Sequence, residues 1–105
     1  MKIYEWDRCE PMTEAAIRAI HSPEYSFRIS KSEFEKDTSF SGSMRAGRCY
    51  VLEGTGLYKF EKSQIKIQSS QYADFEDGRY DFEVLGNTGA VIIKVWDLSD
   101  FFNET

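Results

Sequence analysis

Short runs of alternating apolar and polar residues after Pro23 constrain the fold of this chain more than any other feature of its sequence. An apolar residue at every second position gives a β-strand one apolar face, whereas a helix needs a spacing of three to four. The alternating positions are Tyr25, Phe27 and Ile29; Tyr58 and Phe60; Ile65 and Ile67; Tyr80 and Phe82; and Val91, Ile93 and Val95. The pattern therefore predicts a mainly β domain.

Turn residues separate these runs at intervals of about ten residues, which is typical of sandwiches and barrels. The predicted turns are Ser41-Gly42, Gly54-Thr55-Gly56, Lys62-Ser63, Asp77-Gly78 and Gly86-Asn87-Thr88-Gly89. Asp77-Gly78 and the Gly54 turn have the composition of hairpins, because glycine accepts the positive φ that such turns require. The polar segment from Ser30 to Thr38 is expected to be a loop or an edge strand. Closing or doubling the antiparallel sheet removes exposed edges, which favours a barrel over an open sheet.

The N-terminal part is predicted to hold a strand and one short helix. Apolar residues between Ile3 and Trp6 favour a first strand, and Pro11 followed by Thr13-Glu14 is typical of a helix start. The apolar stripe of this helix consists of Met12, Ala16, Ile17 and Ile20. Such a stripe favours a helix that lies on the sheet and ends at Ser22-Pro23. We expect a single domain over residues 1–105, with the strand and helix at about 3–22 and the barrel at about 25–98.

Charge and cysteine content restrict the partners and the compartment. Thirteen Lys and Arg against 18 Asp and Glu give a net charge of −5, which opposes the counterion release that drives most nucleic-acid binding. Charged residues interrupt the start of the chain, and no apolar run is long enough for a membrane span. Cys9 and Cys49 are too few for a disulfide framework and are expected to be reduced thiols. We therefore expect a cytoplasmic domain that binds neither nucleic acid nor membrane.

Four segments between residues 40 and 98 follow the order and spacing of a known family. They are Tyr50-Val51-Leu52-Glu53-Gly54 with Gly56, Ile65-Lys66-Ile67, Phe75-Glu76-Asp77-Gly78, and Gly86-Asn87-Thr88-Gly89-Ala90 before a Val/Ile strand. This arrangement resembles the cupin superfamily, in which the third segment is often Ile-Pro-Pro-Gly. The resemblance implies a cupin-like antiparallel β-barrel or jelly roll.

Metal-binding cupins place two His and a Glu before the first of these segments and another His after the third. The corresponding positions here are Ser41, Ser43, Gly47 and Asp81, or Tyr80 in a register one residue shorter. A serine hydroxyl is a poor substitute for imidazole as a metal ligand. The resemblance therefore implies a domain without a bound metal, and we expect no other cofactor.

The chain has one histidine, His21, which is the only candidate base for a nucleophilic Ser or Cys. No local signature of a nucleophile accompanies it. We expect His21 to be an ordinary residue at the helix C-terminus, where the helix dipole favours a partly positive ring. No catalytic residue is predicted.

The strand after Gly78 decides which side chains face the interior. Asp81 and Glu83 share one face and Tyr80 and Phe82 the other. Burying two carboxylates without partners is costly, so we expect the two aromatic residues inside. The candidate binding residues in the barrel interior are Ser41, Ser43, Cys49, Val51, Tyr80 and Phe82.

The last strand and a basic segment supply candidate interface residues. Val91, Ile93 and Val95 are expected to share the core with Val51, Tyr80 and Phe82, which leaves Ile92, Lys94 and Trp96 on the outer face. There Trp96 is expected under the helix, with an exposed interface anchor as the alternative. Arg45 and Arg48 would form a basic region with Lys59 and Lys62 if the Gly54 turn is a hairpin. Such a region is either ordinary solvated charge or a site for an anionic ligand or acidic partner.

These observations favour a non-catalytic binding module that recognises a small molecule or a protein. An immunity or antitoxin role is a secondary hypothesis within this class. Homodimer formation is left open. The alternative is a metal-independent enzyme, similar to sugar epimerases and isomerases, in which an interior Tyr acts beside Asp81 or Glu83. A deep pocket that holds Tyr80 and a carboxylate would favour the enzyme. A filled interior would favour binding.

Overall fold

The computed structural model describes residues 2–21 and 27–97, which form one helix and nine strands. The elements are β1 Ile3–Glu5, α1 Glu14–Ile20, β2 Phe27–Phe34, β3 Ser39–Met44, β4 Gly47–Glu53, β5 Thr55–Lys59, β6 Gln64–Gln68, β7 Gln71–Phe75, β8 Gly78–Leu85 and β9 Ala90–Asp97. The helix end predicted at Ser22-Pro23, the strand start at Tyr25 and the barrel limit at residue 98 lie outside the described residues. No helix in the described ranges is long and apolar enough to cross a membrane.

The strands form two antiparallel sheets with a common core between them. The five-stranded sheet has the order β1-β7-β4-β9-β2, and the four-stranded sheet has the order β3-β8-β5-β6. This arrangement confirms the predicted mainly β jelly roll with one short N-terminal helix. Among residues 2–21 and 27–97 no ladder joins the two sheets, so the barrel is not closed.

Two turns with hairpin composition connect strands of different sheets. The Gly54 turn leads from β4 to β5, and the Asp77-Gly78 turn leads from β7 to β8. In each case the two strands belong to different sheets and are not hydrogen-bonded to each other. The two hairpin predictions are wrong because a tight crossing between sheets can require the same positive φ as a hairpin turn. Gly54, with a φ of 79°, is an example. Lys62-Ser63 does join a hairpin, β5–β6. Ser41-Gly42 is not a turn and lies inside β3, and the segment after Ser30 continues the edge strand β2.

The space between the sheets is filled by large apolar and aromatic side chains. The buried set comprises Met44, Cys49, Val51, Tyr58, Ile65, Ile67, Ala73, Phe75, Tyr80, Phe82, Val84, Ala90 and Ile92. Tyr80 and Phe82 are inside as predicted, and Asp81 is exposed on the other face of β8. Gly56 is buried against Phe82, where a Cβ atom would lie 2.8 Å from Cε2 of the ring, so this close approach requires glycine.

Helix α1 covers part of the outer face of the five-stranded sheet. Thr13 caps it, because its Oγ1 accepts a hydrogen bond from the Ala16 amide at 3.1 Å. A second buried cluster beneath the helix consists of Ile17, Tyr50, Ile93 and Val95. The predicted contact between the helix stripe and the sheet is therefore present.

Strand β9, which lies between β4 and the edge strand β2, is buried on both faces. Ile92 packs in the core between the sheets and Ile93 packs under α1, and both are 0% exposed. The predicted inward set of Val91, Ile93 and Val95 lies on the face toward α1, whereas the set of Ile92, Lys94 and Trp96 lies toward the other sheet. The assigned direction is wrong because a strand covered on both faces has no single apolar side.

We expect Ile92→Ala and Ile93→Ala each to lower the free energy of unfolding by about 2–5 kcal/mol, since each leaves a cavity in a different core. Val91→Ala, at a half-buried position, is the matched control and should cost less. Denaturant unfolding measures all three. An Ile92→Ala variant as stable as the wild type would show that this face of β9 is not in the core.

Candidate functional site

Four side chains with polar atoms meet in the space between the sheets. Lys94 of β9 and Cys49 of β4 are partners in the β4–β9 register. The Lys94 ammonium donates to Tyr80 Oη at 3.3 Å and lies 5.3 Å from the centre of that ring. Tyr58 of β5 packs beside Tyr80, with 5.7 Å between ring centres. The candidate interior site consists of Cys49, Tyr58, Tyr80 and Lys94.

Aromatic rings fill the interior on one side of Lys94. The rings are Phe34, Phe40, Tyr58, Tyr80 and Phe82, and no water-sized space remains between them and the lysine. On the other side a cleft of about 10 Å³ remains, which is room for about one water molecule. Its lining includes Met44, Arg45, Gly47, Cys49, Lys94 and Trp96. The interior is therefore a filled core with one small gap beside Lys94.

No negative charge faces Lys94 from the described residues. Burial raises the pKa of the Cys49 thiol to about 11, and burial also raises the pKa of the Tyr58 hydroxyl. Both groups therefore keep their protons at neutral pH. None of the ion pairs found in residues 2–21 and 27–97 includes Lys94.

Two of the six predicted interior residues lie elsewhere. Cys49, Val51, Tyr80 and Phe82 are buried between the sheets, but Ser41 and Ser43 are exposed on the outer face of the four-stranded sheet. The interior placement of the serines is wrong because β3 turns its alternate residues Phe40 and Met44 toward the aromatic core. The two serines line an open depression of about 650 Å³ together with Lys59, Glu61, Arg79 and Asp81.

The carboxylates named for the enzyme alternative are not brought to Tyr80. Ser41 Oγ donates to Asp81 Oδ1, and Lys59 Nζ pairs with Glu83 Oε2 at 3.3 Å, both on the outer face of the sheet. Within the described part of the chain, the ionic group that contacts the Tyr80 hydroxyl is the Lys94 ammonium. The structure therefore does not bring the proposed acid–base pair together.

Arg48 belongs to a hydrogen-bonded network on the outer face of the five-stranded sheet. Its Nε and Nη2 donate to Asp74 at 2.7 and 3.2 Å, and its Nη1 donates to Tyr50 Oη at 3.4 Å. The hydrogen bond to Asp74 raises the pKa of Arg48 further above its ordinary value. The predicted basic region with Lys59 is wrong, because β4 and β5 lie in different sheets. Arg45 is exposed and lines the cleft beside Lys94.

His21 joins this network at the end of α1. Its Nε2 lies 2.8 Å from Tyr50 Oη. Burial lowers the pKa of His21 and the neighbouring Arg48 charge lowers it further, while Asp74 opposes them. Desolvation and the Arg48 charge therefore oppose the partly positive ring that the sequence predicted.

Trp96 is half-buried on the face of β9 that looks away from α1. A Cβ atom at Gly47 would lie 3.1 Å from Trp96 Cδ1, and the Arg28 guanidinium lies 6.0 Å from the indole ring. The predicted cover by the helix is wrong, since α1 packs on Tyr50, Ile93 and Val95. A role of Trp96 in an interface stays a prediction.

Sequence reasoning missed Lys94 as a site residue. The signal that could have found it is the pair of adjacent isoleucines, Ile92 and Ile93, which indicates a strand buried on both sides. Once both faces of β9 are buried, Lys94 must lie in one of two covered layers.

No family model matches the chain, and no curated protein matches it. Solved structures do. The EutQ protein of Clostridium difficile matches with a TM-score of 0.56 and 18% identity over 69% of this chain and 57% of that one. A cupin-2 domain protein of Shewanella frigidimarina matches with a TM-score of 0.52 and 14% identity, covering 69% of this chain and 71% of that one.

A cupin superfamily protein of Desulfitobacterium hafniense matches over nearly the whole length of both chains, 93% of this one and 99% of that one, with 12% identity and a TM-score of 0.57. The domain therefore has a cupin-like fold. At sequence identities of 12–18%, these comparisons show a similar fold and nothing further. The matched region is little more than half of the EutQ chain, at 57% of its length.

The described residues contain no group of three or more His, Cys, Asp and Glu side chains close enough to hold a metal ion. We expect the purified, untagged protein to carry no stoichiometric iron, zinc, nickel or copper, because serines and a glycine occupy the ligand positions that the cupin resemblance implies. Elemental analysis after dialysis against a weak chelator measures this. Retention of one metal ion per chain would contradict the expectation.

The lowered pKa of His21 predicts a pH dependence of stability. The unfolded chain binds the proton with the ordinary pKa of 6.5, and the folded chain binds it only at lower pH. The contribution is therefore fully present above 6.5 and is lost as the pH falls through the folded pKa. His21→Gln should show a smaller loss of stability on acidification, measured as free energy of unfolding at several pH values. Identical pH profiles would contradict this account.

Proposed function

We propose that this domain is a non-catalytic binding module that holds a small oxyanion, a carboxylate or phosphate group, beside Lys94. The observation that carries the proposal is the inward-facing Lys94 ammonium, which has Tyr80 Oη at 3.3 Å and no anionic partner among the described residues. A half-buried cation without a counter-ion is unfavourable. A bound anion would supply the missing charge.

The size of the cleft supports an oxyanion over a larger enclosed ligand. About 10 Å³ accommodates one oxygen atom next to Lys94, and the rest of the ligand would lie in the opening between the sheets. Trp96 lines this cleft, and Ser30 is the partner of Lys94 in the β2–β9 register. These residues offer a flat apolar surface and a hydroxyl group.

The topology supports access to this position. Strands β2 and β3 are edge strands of different sheets, and among the described residues no ladder joins them. The Phe34 and Phe40 rings, 5.5 Å apart, fill part of the gap between these edges, so a ligand would reach Lys94 through the cleft beside Trp96. The enzyme alternative receives no such support, because among the described residues Tyr80 has the lysine and not a carboxylate within hydrogen-bonding distance.

A titration with inorganic phosphate and with acetate at constant ionic strength tests the proposal. Amide NMR shifts should change saturably around Lys94, Ser30 and Trp96, and Lys94→Met should weaken binding at least about tenfold, the loss expected for one charged contact. Lys59→Met is the matched control, since it removes the same charge from the outer face of the other sheet. The absence of saturable shifts, or equal binding by Lys94→Met, would contradict the proposal.

The same substitution predicts a gain in stability. Lys94→Met should raise the free energy of unfolding by about 1 kcal/mol in the absence of anions, because it replaces an unpaired half-buried charge with an apolar side chain of similar length. Lys59→Met should leave the stability nearly unchanged. Denaturant unfolding in a low-salt buffer measures both. A destabilised Lys94→Met variant would show that the lysine is already compensated within the protein.

A further inference from the structure

Three tyrosines form a ladder across the outer face of the five-stranded sheet. Tyr4 is the partner of Tyr72 in the β1–β7 pairing, and Tyr72 is the partner of Tyr50 in the β4–β7 pairing. Their ring centres are 5.2 and 5.1 Å apart, and the Tyr4 and Tyr72 rings are stacked at 17°. Tyr50 is buried near α1 and Trp6, but Tyr4 and Tyr72 stay half-exposed. The helix therefore leaves part of an aromatic surface uncovered.

Two cations of the chain itself lie over these rings. The Lys2 ammonium is 5.2 Å from the centre of the Tyr4 ring, and the Arg48 guanidinium is 4.8 Å from the centre of the Tyr72 ring. Aromatic faces attract cations through the ring quadrupole. The surface is thus suited by its geometry to bind positively charged groups.

Carboxylates stand beside the rings. A depression of about 300 Å³ is lined by Lys2, Tyr4, Asp74 and Glu76. Asp74 is engaged by both the Nε and the Nη2 of Arg48. Glu76 is exposed and has no hydrogen bond or ion pair with another described residue. An open carboxylate next to an aromatic face is the arrangement that binds an ammonium or guanidinium group.

We propose that this depression docks an arginine or lysine side chain from a basic segment of a protein partner, which would replace Lys2 over the Tyr4 ring. Charge complementarity favours this occupant, because the chain has a net charge of −5. Of the two cations beside the rings, Arg48 is already neutralised by Asp74. Tyrosine and arginine are also among the residues that contribute most to protein interfaces. The surface lies on the opposite face of the sheet from Lys94, so it is independent of the anion site.

Titration with a capped peptide that contains three arginines, at low salt, tests this surface. Binding measured by NMR should be saturable, and a peptide with citrulline in place of each arginine should not bind. Tyr4→Ser and Glu76→Gln should each weaken binding about tenfold, and Lys2→Ala should strengthen it, because the internal competitor is removed. Tyr4→Ser changes no charge, so its effect isolates the aromatic contact.

Glu61→Gln is the matched control, because it removes the same charge from the β5–β6 connection, beside the depression on the other sheet. A loss of binding in Glu61→Gln equal to that in Glu76→Gln would mean attraction to the net charge alone and would overturn the proposal. So would the absence of saturable binding, or tighter binding of a capped tri-glutamate peptide. Lys94→Met should bind the arginine peptide as the wild type does, so failure of the anion site and failure of this surface can be distinguished.

Discussion

The burial of β9 on both faces is the constraint on which the rest of this structure depends. The strand lies between β4 and the edge strand β2 of the larger sheet, with Ile92 in the core between the sheets and Ile93 beneath α1. Because side chains alternate along a strand, these two positions fix the direction of all the others. Lys94 must then lie on the same side as Ile92, next to the aromatic core, and Val95 must lie under the helix. The candidate site is a consequence of this register.

The two faces of the larger sheet use polar groups differently. Between the sheets, Cys49 and Tyr58 stay protonated because burial raises their pKa values, so they do not neutralise Lys94. On the outer face, Asp74, Arg48, Tyr50 and His21 form a continuous chain of contacts in which each charge has a partner. The first arrangement leaves the Lys94 charge without an anionic partner among the described residues, whereas the second anchors the end of α1 to the sheet.

Much of the fold could be predicted from the sequence, because it rests on local signals. The period of two identified most strands, Thr13 and the apolar stripe identified the helix, and the cost of burying carboxylates placed Tyr80 and Phe82 inside. Which strands pair could not be predicted from the turns, since Gly54 has the same positive φ in a crossing between sheets as it would have in a hairpin. The direction of β9 was also beyond local reasoning, because Ile92 and Ile93 are equally apolar. Ser41 and Ser43 were misplaced because their positions were taken from the cupin resemblance. That resemblance does not show that their side chains in β3 point away from the core.

The most direct test of this account is the rate at which the Lys94 amine reacts with an acetylating reagent, followed by mass spectrometry with Lys59 as the internal reference. Lys94 is half-buried beside Tyr80, whereas Lys59 is exposed on the outer face. The account predicts that Lys94 reacts more slowly than Lys59 and that phosphate slows Lys94 further without affecting Lys59. Equal rates for the two lysines, unchanged by phosphate, would contradict it.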